Sequence, residues 1–196
     1  MGLIKLLVLF SLLIPNYSES FSRKKSSPVY VVEASPTPTP IVVDKKGVEF
    51  IPVKNYSTTT EKQIILKAAA KLDETIKSDC FAGFIKNRKM IQTKGKSSEE
   101  VLQDILSLSG DVPVVMYYRR FGTAIAYREP PSKTINLNRR VFTQDTPLCD
   151  WASTMGHESL GHSLGNYDHS YKWTKERIYS VPYSIGEAID HCCLKN

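Results

Sequence analysis

Two cysteines stand side by side near the C-terminus, Cys192 and Cys193, and the other two in the chain, Cys80 and Cys149, lie far upstream. Adjacent cysteines bridge each other poorly, because the geometry of the bond strains the small ring that would close between them. In an oxidising compartment each is therefore expected to reach one of the distant partners. Two such bridges would staple the C-terminal segment to the body of the fold, at about 2 to 4 kcal/mol per bridge. The spacing lacks the paired C-x-x-C pattern of a structural zinc site, so bridges are the preferred reading.

That expectation depends on export, and the N-terminus supplies it. Residues 1–20 carry Lys5 within an apolar run from Leu3 to Ile14, followed by Pro15 and small polar residues, with Ser18 and Ser20 placed before a cut. This is the layout of a secretory signal peptide. The run is shorter than the roughly 20 residues a membrane-spanning helix needs, so no stable membrane anchor is expected. The protein is thus read as secreted or periplasmic. Residues 21–46 follow as a Pro/Thr-rich linker whose Ser35-Pro36-Thr37-Pro38-Thr39-Pro40 stretch favours polyproline II and cannot bury a core. Whether this segment is only a linker or a pro-segment stays open. It offers no cysteine with which to block a metal.

Residues 47–196 form the expected domain, without internal repeats. Ser57 to Ser78 places Ile65, Ala69, Leu72 and Ile76 at helical spacing behind a Thr-rich start with Glu61. Ser97 to Leu108 opens with a Ser97-x-x-Glu100 capping box and carries Val101, Leu102, Ile105 and Leu108 as its packing stripe. Three strand-like runs come next: Val112 to Arg119, Thr123 to Arg128 and Thr134 to Asn138. The last alternates as a half-exposed strand does. A further short helix is expected over Ser184 to Cys193. The class is α+β, a small mixed sheet with helices.

All four histidines fall in the last forty or so residues, and His157, His162 and His169 lie within one short segment, WASTMGHESLGHSLGNYDHS. A catalytic zinc takes three protein ligands, imidazole nitrogens at about 2.0 to 2.1 Å, and leaves a fourth position for water. These three can supply the set. Glu158, next to the first histidine, points to another side of the helix and is suited to take a proton from that water. Two alternatives for the third ligand stand beside His169. Asp168 is its immediate neighbour, and Glu187 sits on the C-terminal helix with Asp190 and His191 as orienting partners. Trp151 and Met155 are read as core, and His191 as structural.

The residues His157-Glu158, Gly161-His162-Ser163-Leu164-Gly165 and His169-Ser170 resemble the metzincin zinc peptidases, in particular the matrixins. The close match covers about fourteen residues. The resemblance implies a zincin-like fold with an active-site helix, and a last sheet edge that lies along the cleft and pairs with substrate; Thr134 to Asn138 would be that edge. Three departures are visible. His157 and His162 are five apart, which in a regular helix sets them about 140° apart, so one extra residue absorbed as a π-bulge is required. The spacing to His169 is one residue longer than the metzincin pattern, with Gly165 as the helix end and turn. The methionines Met1, Met90, Met116 and Met155 all precede His169, so no Met turn follows the third histidine. The HExxxH spacing is similar to that of dipeptidyl peptidase III. Ser180 to Gly186 could form the supporting turn instead, with Tyr179 or Tyr183 as donor to a developing oxyanion and Arg177 closing the cleft.

The expected function is an exported zinc-dependent hydrolase, a peptidase acting on protein, peptide or cell-wall peptide as a monomer. The alternative is an inactive zinc-containing or disulfide-stapled extracellular binding protein. Lys and Arg total 26 against 20 Asp and Glu, a net charge of +6. No basic stripe is interleaved with aromatics, so a nucleic-acid partner is not expected.

Overall fold

The computed structural model describes residues 47–53, 56–119, 125–128, 130–169 and 174–195. The expected signal peptide and linker, the start of the second strand-like run and Ser170 lie outside the described residues. The chain enters the fold through a strand absent from the sequence reading, β1 (Val48–Pro52). Its side chains alternate between the covered and exposed faces, but the outward Ile51 is apolar and 40% exposed and Pro52 follows it, so the run lacks the polarity alternation that marks a strand in sequence. Helix α1 (Thr59–Ile76) follows, then α2 (Asp79–Asn87), α3 (Ser98–Ser107), strands β2 (Gly110–Tyr117), β3 (Ala126–Arg128) and β4 (Ile135–Asn138), α4 (Leu148–Gly156) and α5 (Val181–Cys193). The class is α+β, with a mixed four-stranded sheet and five α-helices among the described residues.

Helix starts follow the side-chain chemistry closely. Thr58 and Glu61 form a reciprocal capping box on α1, and Ser97 and Glu100 form another on α3. Each box satisfies two amide groups that would otherwise lack partners. The buried stripe of α1 is Ile65, Ala68, Leu72 and Thr75, so Ala69 and Ile76 sit at its margin. Helix α2 was hidden by its closeness to α1. Ser78, read as the end of one helix, caps the next: its Oγ accepts from Phe81 N at 3.2 Å and donates to Thr75 O at 2.7 Å.

The sheet order is β1-β2-β4-β3, with β2 parallel to both β1 and β4, and β3 antiparallel to β4. This corrects the expectation for Thr134 to Asn138. Strand β4 is an inner strand and all four of its residues are buried, while β3 forms the edge next to it. The Asn residues that suggested a wet face are held inside by hydrogen bonds. Asn138 Oδ1 accepts from Arg140 N at 3.0 Å, and the Asn136 amide donates to Tyr127 O at 3.4 Å. Buried polar groups persist where they are paired in this way.

One core cluster joins the sheet to the helices, with Ile65, Leu72, Phe81, Trp151, Met155, Ile185 and Ile189 inside it. Trp151 and Met155 are fully buried, as their place on the apolar face of α4 demands. Helix α5 is fixed at its far end by two bridges, Cys80–Cys192 to α2 and Cys149–Cys193 to α4, with Cα separations of 5.7 and 5.8 Å. Each of the adjacent cysteines does reach a distant partner. The bridges span 112 and 44 residues, and loops of this size restrict the unfolded chain by roughly 4 to 5 kcal/mol each when taken singly. No described helix is long and apolar enough to cross a membrane.

Candidate metal centre

Helix α4 does not end at Gly156. It widens into a π-helical segment, His157–Ser163, in which Leu164 N donates to Ser159 O at 2.8 Å, five residues back. The extra residue anticipated as a single bulge is therefore spread over seven residues. The wider turn removes the angular mismatch between His157 and His162, whose ring centroids lie 5.1 Å apart. Close packing shapes this turn: a Cβ on Gly161 would meet Pro182 Cβ at 2.7 Å and Pro182 Cα at 2.8 Å, so only glycine admits α5 this near.

The chain then reverses. Tyr167 N donates to Gly161 O at 2.8 Å and Asn166 N to His162 O at 3.0 Å. The left-handed residue of the turn is Asn166 at φ 54°, a conformation that Asn tolerates better than most side chains. Gly165 has a different role: its missing Cβ makes room for Leu160 O, 2.0 Å from where that atom would stand. The reversal returns His169 to the other two, with ring centroids 4.8 Å from His162 and 5.4 Å from His157. One candidate ligand atom from each of the three histidines lies within 4.8 Å of the others. A tetrahedral ion at 2.0 to 2.1 Å needs nitrogens about 3.3 Å apart, a closure within the reach of side-chain adjustment.

Two of the rings are oriented by carbonyls. His162 Nδ1 donates to Tyr167 O at 2.6 Å, which leaves Nε2 as the lone-pair nitrogen. Tyr167 is itself buried and anchored, its hydroxyl donating to Asp104 of α3 at 2.5 Å. His157 is hydrogen-bonded to the backbone of Pro182, whose only polar backbone group is an acceptor carbonyl. Burial holds His157 well below the ordinary imidazole range, aided by the nearby His162, His169 and Arg177. Burial likewise lowers His162 to about 4. Both rings are thus neutral near pH 7, the form in which imidazole binds a metal.

Glu158 is buried at 7% exposure, and burial raises its carboxyl to about 7 against the lowering effect of Arg128. The backbone N–H of Arg128, on edge strand β3, donates to that carboxylate. The Arg128 guanidinium also reaches across to the π-helical segment, Nη1 donating to His162 O at 2.7 Å. Nothing in the sequence singled out Arg128, because its role depends on sheet order and not on spacing. The Tyr183 ring lies 4.7 Å from that of His157 and 5.0 Å from that of His169, with Arg177 Cζ 5.0 Å from its centre. Burial raises the Tyr183 phenol, with the hydrogen-bonded Arg177 acting the other way.

The other expected site residues lie elsewhere. The Asp168 side chain is 85% exposed and outside the three-histidine group, its nearest oxygen 4.0 Å from His162 Nδ1. Glu187 forms an ion pair with Arg88 and is also outside the group. Tyr179 faces Arg88, whose Cζ is 5.0 Å from the ring. His191 is exposed and outside the group, contacting Lys195 Nζ at 2.8 Å and the Phe84 ring at 5.4 Å. Among the described residues, His157, His162 and His169 are the group that can hold a metal ion.

Comparison with protein-family models, curated proteins and solved structures returns no match.

Proposed function

We propose that this chain is an exported zinc-dependent hydrolase of zincin type, a peptidase that uses Glu158 as general base. The observation that carries the reading is the convergence of three imidazoles, from His157, His162 and His169, through a π-helical turn that also carries the buried Glu158. An all-imidazole set suits zinc, although copper, iron and nickel also accept it. His157, His162 and His169 would hold the ion, which when bound acts as a Lewis acid and makes water acidic near neutral pH.

The protein's own part is positioning and proton transfer. Glu158 takes a proton from the attacking water at a carboxylate oxygen and passes it to the leaving amine. Its carboxyl, at about 7, is matched to both steps near neutrality. Tyr183, against the rings of His157 and His169, donates its hydroxyl to the oxyanion that develops on the scissile carbonyl. Strand β3, the sheet edge beside Glu158, offers the substrate backbone a pairing surface. The substrate class is protein or peptide, cell-wall peptide included.

Metal analysis of the purified protein and hydrolysis of casein and a peptide library test the reading. About one zinc per chain is expected, and Glu158→Gln should abolish hydrolysis while the zinc stays. Zinc retained with no hydrolysis by the unmodified protein would favour an inactive zinc-containing binding protein. Absence of metal would leave a disulfide-stapled binding module.

A further inference from the structure

A π-helical turn is the least stable of the helical forms, and it persists where surrounding contacts hold it open. In this protein one side chain outside the ligand segment reaches into it from the sheet. Arg128 Nη1 donates to His162 O at 2.7 Å, and that carbonyl also accepts Asn166 N at 3.0 Å. The same residue's backbone N–H serves the Glu158 carboxylate. Arg128 pairs with Ile135 in the antiparallel β3–β4 ladder, and Ile135 and Leu137 of β4 are both fully buried. The guanidinium therefore projects from a strand paired to a buried neighbour.

We propose that Arg128 is a positioning residue of the metal centre: its guanidinium locks the His162 end of the π-helical turn to the sheet edge, holding His162 and Glu158 in register. The inference rests on the metal-centre reading above and adds to it a determinant on a different element. Arginine suits the task, because its charge persists at any working pH and its planar fork keeps the donor aimed at one acceptor. Its removal leaves the His162 carbonyl with the Asn166 amide alone and frees the turn to relax toward the regular helix. In that geometry His157 and His162 diverge.

The test uses the full exported protein and its Arg128→Ala and Arg128→Lys variants. Each is first checked for retained tertiary structure by near-ultraviolet circular dichroism. Zinc affinity is then measured by competition with a chromophoric chelator, and the visible spectrum is recorded after substitution with cobalt. Arg128→Ala is expected to bind zinc about 10- to 100-fold more weakly, the usual cost of losing a partner behind a metal ligand. Its cobalt spectrum should change, and Arg128→Lys, which keeps the charge and one donor, should recover most of the loss. Unchanged affinity and spectrum in a folded Arg128→Ala would overturn the proposal, as would a Lys variant no better than Ala. Should the unmodified protein bind neither zinc nor cobalt, the metal-centre reading itself fails, an outcome separable from the others. If Arg128→Ala does not fold, Arg128→Gln takes its place, with the same loss expected.

Discussion

Gly161→Ala is the most direct perturbation of the link between the π-helical turn and helix α5. The added methyl carbon would lie 2.7 Å from Pro182 Cβ and 2.8 Å from Pro182 Cα. Carbon atoms settle about 3.5 to 4.0 Å apart, so one element must retreat by roughly 0.7 to 1.3 Å. The obstacle includes backbone, so no rotamer change relieves it. Overpacking of this kind costs about 1 to 3 kcal/mol, which for a domain of this size lowers Tm by roughly 3 to 10 °C. The displacement falls on the residue whose backbone is hydrogen-bonded to His157, and on its neighbour Tyr183, which contacts His157 and His169. Zinc affinity should therefore fall by about tenfold or more. Differential scanning fluorimetry with and without zinc, together with chelator competition, reads both effects. An alanine variant with the parental Tm and zinc affinity would refute the reasoning, because it would mean that the Gly161–Pro182 approach is neither tight nor coupled to the ligands.

Two further outcomes are expected. Removal of His169 by His169→Ala should reduce bound zinc to well below one ion per chain by elemental analysis, whereas Asp168→Asn and Glu187→Gln should leave it near one, since those carboxylates are exposed or paired with Arg88. In the metal-free protein the His162 imidazole sits at about 4 in the fold against an ordinary 6.5, so between these values the unfolded chain holds more protons and stability rises with pH. The gap corresponds to roughly 3 kcal/mol, present above pH 6.5 and lost as pH falls toward 4; since His157 adds to this dependence and the raised carboxyls of Glu158 and Asp190 oppose it, the His162 share is read as the difference between the chelated parent protein and its His162→Gln variant in urea unfolding across this range.

The three-histidine group was legible in the sequence because it is carried by residue types at short range. His157, Glu158, His162 and His169 lie within one short segment, so a local widening of the helix and one chain reversal suffice to bring the three imidazoles together. The five-residue spacing even required the helix to widen, since no regular helix can face two residues so placed. The capping box at Ser97 and the pairing of Cys192 and Cys193 with distant partners were legible for the same reason, each being local covalent or hydrogen-bond chemistry.

Tertiary structure decided what depends on which elements become neighbours. Strand β4 alternates like a half-wet strand, yet β2 and β3 flank it and its asparagines are satisfied inside; alternation reports polarity and not the number of covered faces. Asp168 and Glu187 carry ligand chemistry as good as that of His169, and only the path of the chain turns the first to solvent and gives the second to Arg88. Arg128 and Pro182 have no signature of their own. They matter because a sheet edge and a helix start are packed against the same seven residues, and a contact between distant segments is a property of the fold that no local pattern encodes.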